Sequence, residues 1–470
     1  RHPTPDTRHP TPDTRHPTPD TRHPTPGGGR AVSEPVFGLS PEWLLDAFGR
    51  PIADALVLSH PEQYERLRAA CPEAAPTAVL AGDPCWDRIL AARPYRERFR
   101  RALGVGRGRR LVVLNSTWNP ESLFGDGGDD VLPALLPRLT SEFPADEYRL
   151  AAVLHPNIWH GHGPGQIRAW LDRARRAGLA LVDPLHGWRQ ALISADAVIG
   201  DHGSVTYYAA ALGTPVLLGA APLSGLAPDA PVHAFVRTAP RLDPALPLRA
   251  QVETLLSQHQ PPPEPAEFVS SAPLESAARL RRLFYDLIGI PEPEEPARLE
   301  PLPLPPYEPA AHTVPLTVLT GLSGLPGSDE VTVTRYAGPH PAPYGTDAAH
   351  TAVPEDTRET DQLALADVVF RHGEPHDPRL GPPAEWAAEV LQRHPHCALA
   401  AYVTGPGTCV VRTRAGALVR LDSTSDADPA VYASALHAWL SSGKSPAELY
   451  GRGLTVRTGA TAHAVTVTPL

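Results

Sequence analysis

The chain has 470 residues, of which 42% are hydrophobic, and its net charge at neutral pH is −10. This length allows two or three domains with ordinary cores, and the acidic balance argues against binding of nucleic acid or an anionic membrane through overall charge. Four cysteines without a zinc-ligand spacing predict free thiols in a reducing compartment, and we expect a cytoplasmic protein.

Two further features of the sequence concern membrane association and the start of the gene. No apolar run reaches the ~18 residues that span a bilayer, so we expect at most peripheral membrane association. The sequence contains no methionine, which we interpret as the mark of a gene fragment or of a misplaced start.

Residues 1–30 hold a tandem repeat, RHPTPDT, followed by a glycine run. Two prolines in each repeat exclude a helix or an interior strand, so this segment is expected to be disordered. Residues 31–77 follow, with a helix capped by Ser40, a short strand, and a second helix from about Pro61.

Between residues 78 and 290, short apolar runs alternate with helical patterns. The predicted strands are 111–116, 148–156, 179–184, 196–200 and 215–220. The predicted helices are 130–142, 165–178, 187–195, 204–213, 248–258 and 274–288. This alternation predicts an α/β domain with a parallel sheet and right-handed crossovers.

Residues 291–312 are rich in proline and predict a stiff linker. Beyond it, residues 313–470 contain several alternating strand patterns and helices at about 383–393 and 429–441. We predict a smaller α+β domain of unknown role, in which no residue pattern indicates a site.

The clearest functional pattern is the turn that follows the strand 196–200. Ligands of doubly wound sheets bind at the carboxyl ends of the strands, where helix N-termini favour phosphate. Gly203 in this turn would let backbone approach an anion closely. Ser204 would either cap the next helix or give its hydroxyl to a phosphate oxygen, and the pattern alone leaves both open.

The motif G-D-H-G-S-V-x-Y-Y-A-x-x-L-G-T-P-V at 200–216 resembles the donor-site motif T-D-Y-S-S-V-x-F-D-Y-x-x-L-G-K-P-V of CDP-glycerol glycerophosphotransferases, the teichoic-acid primases and polymerases. Further segments resemble that family in the same order: GDPCWD (82–87), VVLNSTWN (112–119), AVLHPN (152–157) and ISADAVIGD (193–201). The resemblance covers residues 78–290.

The resemblance implies a GT-B fold, in which two facing Rossmann-like domains hold a nucleotide-linked donor mainly on the second domain. It implies that His155 lies at the reacting end, either as a base or as an imidazolium that holds the pyrophosphate. The positions that it implies in donor binding are Asp201, His202, Gly203, Ser204, Thr117, Trp118 and Gly82.

The sequence also departs from the family pattern. Tyr208 stands where the family has an acid that is expected to hold a donor hydroxyl. Only residues 31–77 precede the donor half, and the family's Trp-His-Gly-Thr motif has no counterpart, so we interpret this segment as a remnant of the acceptor-side domain.

Three other interpretations compete. His155, His160 and His162 would be metal ligands if they converged, although a polar loop at the cleft mouth accounts for them as well. Asp201, His202 and Ser204 have the composition of a hydrolytic triad, but the G-x-S-x-G turn is missing. A nucleotide-sugar epimerase shares the implied fold but carries acids that we do not find here.

We therefore predict a GT-B-type transferase that needs no metal or cofactor and moves a glycosyl or glycerophosphoryl group to a hydroxyl acceptor. The donor would be CDP-linked or UDP-linked, a cell-envelope polymer is a candidate acceptor, and no nucleic-acid partner is expected. Truncation would leave such an enzyme inactive, and the alternative is a non-catalytic nucleotide-binding or interaction module.

Overall fold

The computed structural model describes residues 38–125, 131–323, 329–339 and 348–470. The repeat predicted to be disordered, residues 1–30, lies outside the described residues. Across the described ranges, no helix combines the length and the apolar character that crossing a bilayer requires.

The strands and helices are named in chain order. The strands are β1 (Leu56–Leu58), β2 (Ala78–Leu80), β3 (Arg110–Ser116), β4 (Tyr148–Leu154), β5 (Leu179–Leu181), β6 (Ala197–Gly200), β7 (Val216–Leu218), β8 (Leu316–Leu322), β9 (Glu330–Tyr336), β10 (Ala348–Pro354), β11 (Val368–His372), β12 (Leu399–Gly405), β13 (Thr408–Thr413), β14 (Leu418–Asp422), β15 (Leu454–Thr458) and β16 (Thr461–Pro469). The α-helices are α1 (Pro41–Leu44), α2 (Pro61–Ala70), α3 (Pro84–Ala92), α4 (Arg96–Ala102), α5 (Val131–Glu142), α6 (Pro156–His162), α7 (Pro164–Trp170), α8 (Asp172–Arg176), α9 (Trp188–Ser194), α10 (Ser204–Ala211), α11 (Pro231–Thr238), α12 (Leu248–Gln258), α13 (Glu264–Val269), α14 (Ser276–Ile288), α15 (Thr360–Ala364), α16 (Pro383–Arg393) and α17 (Ala430–Ser441).

Five strands form a central parallel sheet in the order β5-β4-β3-β6-β7. The middle strand, β3, is buried on both faces. Leu111 and Val113 enter one apolar core, and Val112 and Leu114 enter another. Two cores on alternate sides are what a strand covered by helices on both faces produces. The predicted α/β domain with a parallel sheet is confirmed.

The predicted helix 165–178 is wrong in detail. The segment forms two helices, α7 and α8, which are separated at Leu171, where the backbone leaves helical geometry (φ −92°, ψ 0°). The preceding segment was predicted as a polar loop but forms α6. Pro156 opens that helix, and the His155 side chain caps it by accepting a hydrogen bond from the Asn157 N–H.

The described residues from 38 to 80 have a small apolar core of their own, centred on Leu58 and Leu67. The helix predicted after Ser40 is only four residues long. β1 pairs in parallel with β2, so the two strands join segments on either side of residue 77, where the sequence analysis placed a domain boundary.

The proline-rich segment 291–312 lies against the parallel-sheet domain. Arg88 donates to the carbonyl of Glu300, Gln190 donates to the carbonyl of Pro303, and the Glu308 N–H donates to the carbonyl of Ala102. The predicted linker is therefore anchored along its length.

The strands after residue 313 close into a barrel, which the sequence did not predict. Its nine strands run β10-β11-β12-β13-β14-β16-β15-β9-β8 and return to β10. Most neighbours are antiparallel, but the pairs β10–β11, β11–β12 and β15–β9 are parallel. The broad expectation of a mixed α and β domain holds, and the closure of its sheet is the new feature.

One helix, α17, lies inside this barrel. Its residues are buried on every side, and it packs against β8, β9, β11, β12, β13 and β15. An apolar helix of this kind needs a closed wall around it, because a helix that is hydrophobic all round must be buried. The core of the barrel therefore consists of α17 packed against the inner face of the surrounding sheet.

The barrel and the parallel-sheet domain meet through a buried ionic cluster. Arg335, on β9, donates to both carboxylate oxygens of Asp146, at 2.7 and 2.6 Å, and to Asp428 at 2.8 Å. Asp146 precedes β4, and Asp428 precedes α17. Burial alone would raise the pKa of Asp428, but the charge of Arg335 outweighs it and the pKa lies well below its usual value.

Two histidines, the buried His350 and the half-buried His312, should make the stability of this fold depend on pH. Burial lowers the pKa of both His312 and His350 to about 3, whereas in the unfolded chain both titrate near ~6.5. The unfolded chain thus binds more protons between these values, so the free energy of unfolding should fall as the pH drops below ~6.5, by up to about 2 kcal/mol per histidine at pH 5.

Urea unfolding at pH 7.5 and pH 5 measures this loss, and both pH values lie above the ordinary carboxylate pKa of ~4. His350→Phe should lose less stability on acidification than the wild type. His396→Phe, at an exposed histidine, is the matched control and should behave as the wild type does. An unchanged pH dependence in His350→Phe would contradict the prediction.

Candidate active site

The strand order of the parallel sheet reverses between β3 and β6. β4 and β5 lie on one side of this pair and β7 on the other. In doubly wound sheets, ligands bind in the crevice outside the carboxyl ends of the strands at such a reversal. Thr117 follows β3 at this place, and Asp201 follows β6.

Asp201 holds the two sides of this crevice together. Its buried carboxylate accepts hydrogen bonds from the backbone N–H groups of Thr117 at 2.9 Å and Leu123 at 3.0 Å, and from that of Gly203 at 3.0 Å. The resemblance implied that Asp201 contacts the donor. The structure gives it a positioning role instead, because backbone donors occupy both of its oxygens.

The turn after Asp201 leads directly into α10. Gly203 is the N-cap, and Ser204 is the first helical residue, with an exposed hydroxyl that makes no capping bond. The interpretation of Ser204 as a helix cap is therefore wrong. The first-turn N–H groups of a helix have no partner within the helix, so this hydroxyl and these amides point to the same kind of ligand, an anion.

A cleft of about 290 Å³ lies beside this turn, at the carboxyl ends of β3 and β4. The residues predicted for the site that line it are Thr117, His155, Gly203 and Ser204. Its walls also contain Asn115, Ser116, Pro184, Trp188 and Arg189. Among the described residues, no carboxylate side chain lines the cleft.

The hydrogen bonding of His155 decides which of its ring nitrogens carries the proton. Its Nδ1 accepts from the Asn157 N–H at 3.1 Å. Burial lowers the pKa of His155, although the charge of Asp201 opposes this, so the ring is neutral near pH 7. A neutral ring that accepts at Nδ1 carries its proton on Nε2. His155 is thus a hydrogen-bond donor in this state and has no free lone pair to act as a base.

Arg189 is a cationic residue of the cleft that the sequence analysis missed. Its Nε donates to the Cys85 sulfur at 3.2 Å, and its guanidinium lies 4.5 Å from the ring centroid of Trp188. The described residues offer no partner to its two terminal nitrogens. The signal was weak because the side chain comes from α9, outside every quoted motif.

Two other predicted positions lie behind the cleft wall. The hydroxyl of Tyr208 donates to Asp83, and the Tyr208 ring packs between Trp86 and Trp188. Gly82 does not line the cleft. Its φ is +80°, and a Cβ there would lie 3.0 Å from the carbonyl oxygen of Ala272, so this glycine allows two backbone segments to approach.

The remaining predicted residues flank the cleft without lining it. Trp118 is half exposed, and its ring centroid is 6.3 Å from that of His155. His202 lies in the turn, with its Nε2 3.0 Å from the amide nitrogen of Asn119.

Neither the hydrolytic nor the metal interpretation fits these contacts. The His202 ring bonds Asn119, and the Asp201 carboxylate bonds backbone amides, so the two do not form a relay to Ser204. Within the part of the chain that the structure describes, no three His, Cys, Asp or Glu side chains are grouped as metal ligands. His162 packs instead against the rings of Phe124 and Trp170.

No family model matches the chain, and no curated protein matches it either. Solved structures resemble part of it at low identity. The wall teichoic acid polymerase TagF is 16% identical over 50% of this chain and 57% of its own, with a TM-score of 0.34. A putative UDP-N-acetylglucosamine 2-epimerase from Listeria monocytogenes is 18% identical over 52% of this chain and 62% of its own, with a TM-score of 0.31.

A third similar structure is the UDP-GlcNAc 2-epimerase from Neisseria meningitidis bound to UDP-GlcNAc. It is 11% identical over 50% of this chain and 61% of its own, with a TM-score of 0.30. The chain thus spans little more than half the length of the structures it resembles. Likenesses of this size do not assign the CDP-glycerol family or an activity.

Gly203 should tolerate no side chain. A Cβ there would lie 2.9 Å from the Thr117 Cβ and 3.0 Å from an Asp201 carboxylate oxygen. Gly203→Ala should therefore cost roughly 1–3 kcal/mol of stability. The control is Gly161→Ala in α6, where a Cβ meets nothing within 4 Å and where Ala should be neutral or stabilising. Thermal unfolding compares the two, and equal melting temperatures would contradict the close contact.

Proposed function

We propose that the cleft binds the diphosphate of a CDP-linked or UDP-linked donor, and that the chain is a GT-B-type transferase. The observation that carries this proposal is the set of hydrogen-bond donors in one cleft without a lining carboxylate among the described residues. These donors are the Ser204 hydroxyl, the first-turn amides of α10, the Nε2–H of His155 and the guanidinium of Arg189. A diphosphate accepts from all of them.

The same donors suit a transfer step. When an acceptor hydroxyl attacks the group to be moved, the bond from that group to the departing phosphate breaks and negative charge develops on the phosphate oxygens. Preorganised donors stabilise that charge more in the transition state than in the ground state. The group moved would be glycosyl or glycerophosphoryl, and a cell-envelope polymer as acceptor rests on the sequence resemblance alone. A cytoplasmic location rests on the cysteine usage of the sequence.

One observation favours a second candidate, a nucleotide-binding module without catalysis. A transferase needs a base for the proton of the acceptor hydroxyl. In the described cleft, His155 accepts at Nδ1 and carries its proton on Nε2, and no carboxylate lines the wall. The groups of the cleft then account for nucleotide binding, whereas turnover requires a base that these groups do not supply.

Calorimetry with CDP, UDP and CDP-glycerol tests the binding proposal. Ser204→Ala should weaken diphosphate binding about fivefold, because it removes a hydrogen bond of about 1 kcal/mol. Arg189→Gln should weaken it tenfold or more, since hydrogen bonds to charged groups contribute about 1.5–3 kcal/mol. Arg175→Gln, at an exposed arginine of α8, is the matched control and should bind normally. Well-folded wild-type protein that binds none of the three ligands would overturn the proposal.

His155→Gln separates the two roles of this residue. The glutamine amide can place an N–H donor near the position of the histidine Nε2 but cannot act as a base. If His155 donates to the diphosphate, His155→Gln should keep affinity within about threefold, whereas His155→Ala should lose about fivefold or more. Equal losses of affinity in both variants would contradict the donor role. In a preparation with turnover, activity retained by His155→Gln would exclude a role as base.

A further inference from the structure

A second cavity, of about 860 Å³, lies beside β7, the last strand of the parallel sheet. It shares no lining residue with the cleft at Ser204. Most of its wall is apolar and comes from β7, from the helices α10, α11 and α12, and from the loop before α12. Its apolar side chains include Ala210, Val216, Leu217, Phe235, Leu246 and Leu255. Binding sites for small molecules have this volume and this predominantly apolar lining.

The cavity follows the edge of β7 from one end to the other. At the first end, the Nε2 of His259 lies 3.0 Å from the carbonyl oxygen of Gly213, just before the strand. At the second end, Arg241 forms a bridge with Leu218, the last residue of the strand. Both His259 and Arg241 line the cavity. Since a strand advances ~3.3 Å per residue, the two ends are roughly 15 Å apart, and the shape suits an elongated ligand.

Hydrogen bonds hold the loop 243–247, which contributes Leu246 to the wall. The Gln251 side chain accepts from the Asp243 N–H at 2.8 Å and donates to the Asp243 carbonyl at 2.9 Å. Arg138 donates to the carbonyl of Leu246 at 2.8 Å. The Leu246 side chain is nevertheless half exposed. The cavity is therefore formed before a ligand arrives, and a ligand would cover an apolar side chain that now faces water.

Arg241 gives one end of the cavity a positive charge. It is the one arginine or lysine among the described residues that line the cavity, and none of those residues is an aspartate or a glutamate. Its guanidinium donates to the carbonyls of Ala221 and Val236, each at 3.3 Å, and has no carboxylate partner in the described ranges. A guanidinium carries five N–H groups, so donors remain for an anionic group of a ligand.

Two other ligand classes fit this cavity poorly. A sugar or a nucleotide would bury hydroxyl groups against an apolar wall that offers them few partners. A peptide strand could not extend the sheet beyond β7, because the chain itself occupies that edge at Leu218. There the Leu218 N–H donates to the carbonyl of Pro240, and the Leu242 N–H donates to the carbonyl of Leu218. An apolar chain with one anionic group fits both the wall and the charge.

We propose that this cavity binds a fatty acid, whose chain lies along β7 and whose carboxylate lies at Arg241. The chain would replace water at the apolar wall, and this burial is the main source of affinity. The proposal goes beyond the proposed function and does not depend on it, since no residue lines both cavities. The helix α10 nevertheless reaches both, with Ser204 as its first residue and Ala210 near its last.

Calorimetry with decanoate, decanol and decyltrimethylammonium tests the role of the charge, because the three probes have chains of equal length. The wild type should bind decanoate about fivefold or more tightly than decanol, and decyltrimethylammonium more weakly than either. Arg241→Gln should weaken decanoate binding about fivefold or more and leave the affinity for decanol within about twofold, since it removes the charge alone. Arg237→Gln, at an exposed arginine of α11, is the matched control and should bind decanoate as the wild type does.

Ala250→Trp tests where the probes bind. Ala250 lines the cavity from α12 and is exposed, so a larger side chain there should leave the fold intact. The indole should occupy the cavity and weaken the binding of both decanoate and decanol about tenfold or more. Ala278→Trp, at an exposed position of α14, is the matched control and should bind both normally. Thermal unfolding shows whether each variant is folded.

Three outcomes would overturn the proposal. The first is folded wild-type protein that does not bind decanoate. The second is unchanged binding in Ala250→Trp, which would place the probe elsewhere on the surface. The third is equal affinity for decanoate and decanol, which would leave Arg241 without a role. If Ala250→Trp does not fold, Arg241→Gln decides, because its loss must be confined to decanoate. Calorimetry with CDP and UDP tests the other cleft separately, so the failure of one proposal leaves the other standing.

Discussion

The carboxylate of Asp201 is the constraint on which the site depends. It accepts hydrogen bonds from backbone groups of two loops that are about eighty residues apart in the sequence and that meet only because β3 and β6 are neighbours. A buried carboxylate is stable only when such donors surround it. Satisfying the charge therefore fixes the loop after β3 against the turn before α10, and the cleft takes its shape from that contact.

The chemistry of the cleft follows from what this arrangement leaves free. Asp201 is buried and occupied, so the remaining groups at the sheet edge are a hydroxyl, amides, a neutral imidazole and a guanidinium. This set is rich in donors and poor in acceptors, which favours anionic ligands. For the same reason the site is better suited to binding an anion than to removing a proton.

The sequence predicted the parallel sheet because a continuous apolar run, such as the one that begins at Leu111, is typical of a strand buried on both faces. Four predicted positions lie together at the carboxyl edge of the sheet, because residues that follow parallel strands share that edge. They are Thr117, His155, Gly203 and Ser204. The sequence missed Arg189, whose side chain reaches the cleft from a neighbouring helix. It also missed α6, since a proline and a capping histidine outweighed the polar composition that indicated a loop.

The barrel was beyond the reach of the sequence for a different reason. Alternating apolar residues show that a strand has one buried face, but they do not show which strands pair or whether the sheet closes. Closure here depends on the parallel pairing of β9 with β15, which are distant in sequence, on two parallel pairings between consecutive strands, and on α17, which fills the interior. Closure depends on the register of the strands and on the volume inside the barrel, and a local sequence pattern specifies neither.

The contact between Arg335 and Asp146 has a consequence for how these two positions change during evolution. The two residues are 189 positions apart, and each is buried because the other is present. A change at position 335 would leave Asp146 with only Arg109, at 3.6 Å, and a change at position 146 would leave Arg335 with only Asp428. Either change alone removes the bidentate pair of a buried cluster, which costs up to about 3–5 kcal/mol. Among descendants that keep both domains, these two positions should therefore change together, whereas a lineage that lost the barrel would be released from keeping an acid at position 146.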